Sequence, residues 1–69
     1  MKLSARNILA GTVKAVTAGA VDSEVVLELA PGIEIVSVIT KTSAERLGLK
    51  PGVKAYAVIK ASSVLIGAD

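Results

Sequence analysis

The sequence has no cysteine, no histidine, no tryptophan and no phenylalanine, and a single tyrosine among its 69 residues. The missing cysteines exclude disulfides and thiolate chemistry, and with histidine also gone the commonest zinc ligands are absent. Only Tyr56 is available to stack on a base, so a single-strand nucleic-acid surface lacks its usual platform. Charge of one sign is scarce as well. Eight basic and six acidic residues leave a formal net charge of +2, too little to imply nucleic acid or an anionic membrane as partner. No apolar run approaches the ~20 residues that cross a bilayer. The start, Met1-Lys2-Leu3-Ser4-Ala5-Arg6-Asn7, lacks the apolar stretch of a secretory signal. These absences predict a cytoplasmic protein with no membrane or nucleic-acid partner.

What is present is aliphatic, with 52% of residues apolar. The chain reads as one domain, residues 1–69. A domain of this size buries only about 60% of the surface its unfolded chain exposes. Small scaffolds need a staple, and without disulfide or metal the remaining one is a partner subunit. Surplus Val, Ile, Leu and Ala on a small barrel point the same way.

The dominant hydrophobic period is two. Val21, Ser23, Val25, Leu27 and Leu29 alternate with Asp22, Glu24, Val26 and Glu28, which predicts a strand over 21–29. Ala30-Pro31-Gly32 is a turn, and Ile33 to Thr40 a second strand of the same hairpin. Val26, Val36 and Val38 sit on the hairpin's outer face and are candidate interface residues. A long first strand is expected from Ser4 to Val16, with Gly11 at a bend, and Thr17 to Ala20 connect it onward. Val53 to Lys60 predicts a fourth strand and Ser63 to Gly67 a short fifth. Between the third and fourth, Thr42-Ser43-Ala44-Glu45 matches a capping box with Thr42 as N-cap, and Leu47-Gly48 ends the helix after about two turns. The order β-β-β-α-β-β predicts an all-β, five-stranded Greek-key barrel of oligonucleotide/oligosaccharide-binding (OB) type, with one short helix between strands 3 and 4.

No catalytic constellation is visible, so the chain is not expected to be an enzyme. Without His or Cys, general bases and nucleophiles are restricted to carboxylates, lysines and hydroxyls. Asp22, Glu24, Glu28 and Glu34 fall on solvent-facing strand positions, and no Walker-type or dinucleotide glycine pattern occurs. Hydrogen-bond donors, in contrast, gather at element ends. Ser4-Ala5-Arg6-Asn7 offers a hydroxyl, a guanidinium and an amide. Thr40-Lys41-Thr42-Ser43 lies where a strand meets a helix N-terminus, which favours anions. Lys60-Ala61-Ser62-Ser63 offers an ammonium, hydroxyls and backbone N–H groups. Each cluster alone also reads as a cap, a turn or a surface ion pair.

Ser-Ala-Arg-Asn at the start, Ile-Thr-x-x-Ser-Ala-x-x-Leu-Gly-Leu over 39–49 and Ala-x-x-Lys-Ala-Ser-Ser-Val over 57–64 resemble the molbindin, or Mop, family of small molybdate-binding proteins. The resemblance covers essentially the whole chain with its spacing intact. It implies a trimer of dimers with oxyanion sites between subunits. It also implies anion contacts from Ser4 and Arg6, from Lys60 and the backbone at Ala61, from Thr40 and Ser43, and from Ser62 as a further candidate. The family has a second class of site made mostly of backbone groups.

Molybdate at neutral pH is a dianion whose four oxygens only accept hydrogen bonds. Charge-assisted bonds from Arg6 and Lys60 are roughly twice as strong as neutral ones. Phosphate often carries a proton and profits from an acceptor. No matched position holds Asp or Glu, and the nearest, Glu45, is assigned to the capping box. The absence of acceptors favours molybdate, tungstate or sulfate, which cavity size alone would separate. With the family resemblance, molybdate and the similarly sized tungstate are the expected ligands, with no cofactor and no metal bound except molybdenum as its oxyanion, for storage or homeostasis of molybdenum. Two alternatives are an OB-fold nucleic-acid-binding protein and a regulatory Mop module of a transporter or transcription regulator. The initiating Met and short tail favour a free-standing chain over the module. A role in handling molybdenum cofactor has no readable pterin pocket.

Overall fold

Two Pro-Gly pairs set the sharpest reversals. Gly32 (φ 76) and Gly52 (φ 92) take left-handed backbone directly after prolines, the signature of type II turns. The second is closed by Val53 N donating to Lys50 O at 3.2 Å. Around these reversals a computed structural model, which describes residues 1–69, forms β1 (Asn7–Ala18), β2 (Asp22–Ala30), β3 (Ile33–Thr40), α1 (Lys41–Arg46), β4 (Lys54–Ile59) and a 3-10 turn at Ala61–Ser63.

The architecture is an all-β, strongly curled antiparallel sheet in the order β3-β2-β1-β4 with one short helix. It has four strands, not the five expected. Ser63–Gly67 is not a strand: the chain winds through the 3-10 turn, leaves it extended at Val64, and has no sheet partner beyond it. Alternation identified an apolar segment but could not supply the neighbour a strand needs.

The curl comes from β1. Its first half pairs with β4 (Asn7↔Ile59 to Thr12↔Lys54) and its second half with β2 (Thr12↔Glu28 to Ala18↔Ser23). Gly11 sits at the changeover, where a Cβ would lie 2.6 Å from Glu28 O. Glycine at this position thus allows close backbone approach; the irregularity in β1 lies three residues on. A bulge at Lys14, between Val13 and Ala15, adds twist. Lys14 reaches across β2 to an ion pair with Glu34. That carboxylate, by hydrogen bond and charge, holds Lys14 above the usual lysine pKa. Glu34 is the cross-strand partner of Glu28, so Lys14 relieves a like-charge pair that would otherwise weaken the ladder.

β1 begins at Asn7, not Ser4, which leaves Ser4 to Arg6 outside the ladder, and it continues through Thr17 and Ala18. The helix is also displaced. Its N-cap is Thr40, not Thr42, with Thr40 Oγ1 accepting from Ser43 N at 3.1 Å. The β3 ladder reaches Thr40 and Lys41 N then donates to Val21 O at 2.8 Å, so the helix starts at once and Glu45 has no part in the cap. Gly48 N donating to Glu45 O and Leu49 N to Ala44 O, with Gly48 at φ 66, form a Schellman C-cap that turns Leu49 onto the core.

That core is meagre. Only Val13, Ser23, Val25, Leu27 and Ala44 are buried. Val21, assigned above to the inner face, is exposed because it precedes β2. Of the outer-face valines, Val26 is half-buried while Val36 and Val38 are 58% and 65% exposed. The chain exposes 5337 Å², against about 4,000 Å² for a self-sufficient monomer of its mass. Its radius of gyration is 12.7 Å, against about 11 Å for a compact domain of its length.

Candidate functional site

The β1–β4 register dictates which chain segments meet. Asn7 pairs with Ile59, and the Asn7 side chain donates to Ile59 O at 3.2 Å. The residues just before Asn7 and just after Ile59 must therefore lie side by side. They do: Ser4, Ala5, Arg6, Lys60, Ala61 and Ser62 line one open cavity. Two segments more than fifty residues apart in sequence thus form one wall of donors. The 3-10 turn shapes the second segment, with Ser63 N donating to Lys60 O at 2.9 Å.

No carboxylate lines this cavity. The chain's one ion pair joins Lys14 to Glu34, so Arg6 and Lys60 carry no acidic partner. An arrangement of two free cations, two hydroxyls and backbone amides without acceptor side chains is suited to an anion that only accepts hydrogen bonds. The cavity is open to solvent on one side. No group of three or more His, Cys, Asp or Glu side chains that would hold a metal ion occurs in the chain.

Thr40 and Ser43 are not in this cavity. Thr40 pairs with Asp22 and Ala18 with Ser23, which puts both hydroxyls at the Ala18 end of β1, away from the Asn7 end where Arg6 and Lys60 lie. Twelve residues of β1 correspond to a contour of roughly 36 Å. Thr40 Oγ1 donates to Ser43 Oγ at 2.7 Å, which leaves the Ser43 hydroxyl proton free to point outward. Glu45 is exposed and outside the cavity. Its exclusion as an acceptor therefore rests on that position, not on a capping role.

Sequence reading missed a second, larger concavity between the free edges of β3 and β4. Thirteen of its 15 lining residues are hydrophobic. Alternation within each strand hid it, because it exists only where two edge strands face each other unpaired. Tyr56 lies on its rim with Lys54 Nζ 5.6 Å from the ring centroid, so the one aromatic is already engaged by a cation. No helix is long and apolar enough to cross a membrane.

Comparison with known proteins bears on family and fold. The TOBE domain family model matches residues 3–66. Molybdenum-pterin-binding protein 3 of Clostridium pasteurianum is 50% identical over 66 residues, covering 96% of this chain and 97% of that protein. Molybdenum-pterin-binding protein MopA of Rhodobacter capsulatus is 50% identical over 99% of this chain, which spans only 26% of MopA. Among solved structures, the cytoplasmic molybdate-binding protein ModG with molybdate bound superposes with a TM-score of 0.94 at 56% identity, over 100% of this chain and 49% of that one. The same unit thus accounts for nearly all of one relative and a quarter to a half of the others.

Proposed function

The chain belongs to the molbindin, or Mop, family of TOBE-domain proteins, and on that footing we propose that it binds molybdate and tungstate at sites completed between subunits of a homo-oligomer. The oligomer is a hexamer built as a trimer of dimers. It serves molybdenum storage and homeostasis in the cytoplasm. The observation that carries the reading is the carboxylate-free cavity of Ser4, Ala5, Arg6, Lys60, Ala61 and Ser62. Thr40 and Ser43, the other matched donors, lie at the far end of β1 and reach such a cavity only from another copy.

Recognition follows from the ion's chemistry. A dianion with four acceptor oxygens is met by the Arg6 fork, the Lys60 ammonium, the Ser4 and Ser62 hydroxyls and the backbone at Ala61. A neighbour's Ser43 hydroxyl, free to donate, and its Thr40 close the open side. Covering the cavity removes water and strengthens each charge-assisted bond. The small core, the surface in excess of a monomer's and the exposed Val36 and Val38 support assembly independently of the ligand.

A ligand that binds only the assembled state stabilises it by mass action, by about 2.7 kcal/mol at a hundredfold excess over Kd. For a domain this size that corresponds to a rise in Tm of about 10–20 °C. Complementation tests the shared site directly. Arg6→Ala/Lys60→Ala chains and Ser43→Ala chains each assemble and bind molybdate poorly. Refolded together, they regain part of the binding capacity, because some interfaces then pair intact halves. Native mass spectrometry counts subunits and bound ions in each sample. No recovery in mixed oligomers, or a monomeric protein at working concentration, would refute the proposal.

A further inference from the structure

The anion cavity has two walls, Ser4 to Arg6 and Lys60 to Ser62, and no hydrogen bond joins one to the other. The second wall is braced from within by its 3-10 turn, with Ser63 N donating to Lys60 O at 2.9 Å and Val64 N to Ala61 O at 3.3 Å. The first has no such brace. It lies outside the ladder, because β1 begins only at Asn7, and Ser4, Ala5 and Arg6 make no side-chain hydrogen bond. Each wall also carries one cation, Arg6 or Lys60, without an acidic partner. Their mutual repulsion pushes the walls apart while the cavity is empty.

The opposing force sits where the walls leave the sheet. The β1–β4 ladder ends at the Asn7–Ile59 pair, and there the Asn7 amide donates to Ile59 O at 3.2 Å, across 52 residues of sequence. No other side-chain hydrogen bond links β1 to β4. Ile59 O belongs to the peptide whose other end is Lys60 N, and a peptide is planar. Holding that oxygen therefore sets the direction in which Lys60 and the turn leave β4. At the other end of the bond, Arg6 directly precedes Asn7. Asparagine is depleted in strands, so propensity gives no reason for it here. Asn7 does not line the cavity.

We propose that Asn7 is a positioning residue for the oxyanion site, fixing the Arg6 and Lys60 walls in register before the ion arrives. Donors placed in advance need not be ordered at binding, which is where preorganisation raises affinity. The inference deepens the molybdate reading above and rests on it.

Asn7→Leu keeps the branched shape and removes the donor. Asn7→His returns a ring nitrogen at the same reach, neutral at about pH 8. Each is titrated with molybdate by calorimetry at that pH, with native mass spectra confirming assembly. The loss of one hydrogen bond predicts about three- to tenfold weaker binding for Asn7→Leu, most of it recovered in Asn7→His. A double-mutant cycle separates positioning from general destabilisation. In a Lys60→Ala chain the wall that Asn7 places has lost its charged donor, so Asn7→Leu costs clearly less there than in the parent. Equal fold-losses in the two backgrounds overturn the proposal. Asn7→Ser, whose hydroxyl is too short to reach Ile59 O, carries the same cycle where Asn7→Leu does not assemble. Binding weakened by Lys60→Ala but unchanged by Asn7→Leu refutes the role of Asn7 and leaves the anion site standing. A parent protein that binds no molybdate refutes both.

Discussion

Gly11→Ala is the most direct test of how the sheet is bent. A methyl group at Gly11 meets Glu28 O at 2.6 Å, Leu27 Cγ at 2.9 Å and Leu29 Cδ2 at 3.1 Å. Carbon atoms pack best at about 3.5–4.0 Å, so the Leu27 contact alone is short by roughly 0.6 Å or more. The Glu28 carbonyl cannot simply swing aside, because Glu28 is paired with Thr12 on one side and Glu34 on the other. Either β1 and β2 separate or the changeover from β4 to β2 loses its curvature. Overpacking of this kind costs about 1–3 kcal/mol, and each kcal/mol lowers Tm by about 4–8 °C in a domain this small. At an unstrained position the same change is stabilising by about 0.4–1 kcal/mol through the unfolded chain, so even the sign is informative. Gly67→Ala, where nothing lies within 4 Å of the added carbon, is the control. Thermal melts followed by circular dichroism at one fixed protein concentration measure both. A Gly11→Ala protein that melts at or above the parent, with its assembly unchanged, would show that the close approach does not set the curl.

Other consequences follow from the site and its surroundings. Arg6→Ala and Lys60→Ala each remove a charged donor worth about 1.5–3 kcal/mol. Each is expected to weaken molybdate binding about 10- to 150-fold in isothermal titration calorimetry while native mass spectra show the assembly intact. Thr40→Val removes the only side-chain cap of α1 and is expected to lower Tm by about 4–8 °C for a cap worth about 1 kcal/mol; Thr40→Ser restores most of it in the same melt. Lys14→Met leaves Glu28 and Glu34 facing each other. Because Glu34 raises the Lys14 pKa above 10.5, the Lys14 contribution is present throughout the neutral range and is lost as pH rises through the lysine's folded-state value. The Tm gap between parent and Lys14→Met is therefore expected to be constant from pH 6 to 9 and to shrink above that value. A gap that persists undiminished in strong alkali would mean the ion pair is not its source.

Alternation and turn chemistry made much of the fold legible before any coordinates. Ile33–Thr40 is a strand with the expected bounds, and the Leu47-Gly48 helix stop is a complete C-cap. These features depend on neighbours within a few residues, so local sequence specifies them. Local sequence does not fix the helix start, because Thr40 and Thr42 are equally good caps in isolation. What chose between them was the β3 ladder and the Lys41–Val21 bond, a contact twenty residues long in sequence.

The amino-acid sequence by itself determined the absence of disulfide, thiolate and imidazole chemistry, the strand periodicity and the supply of donors in three short segments. Only the tertiary structure decided that Ser4–Arg6 and Lys60–Ser62 share a cavity and that Thr40 and Ser43 do not. It also decided that the last apolar segment has no strand to join within its own chain. The reason is physical. Which residues can donate a hydrogen bond or avoid water is a property of each side chain, whereas which of them face one another is set by strand register, and register is fixed by pairings many residues apart.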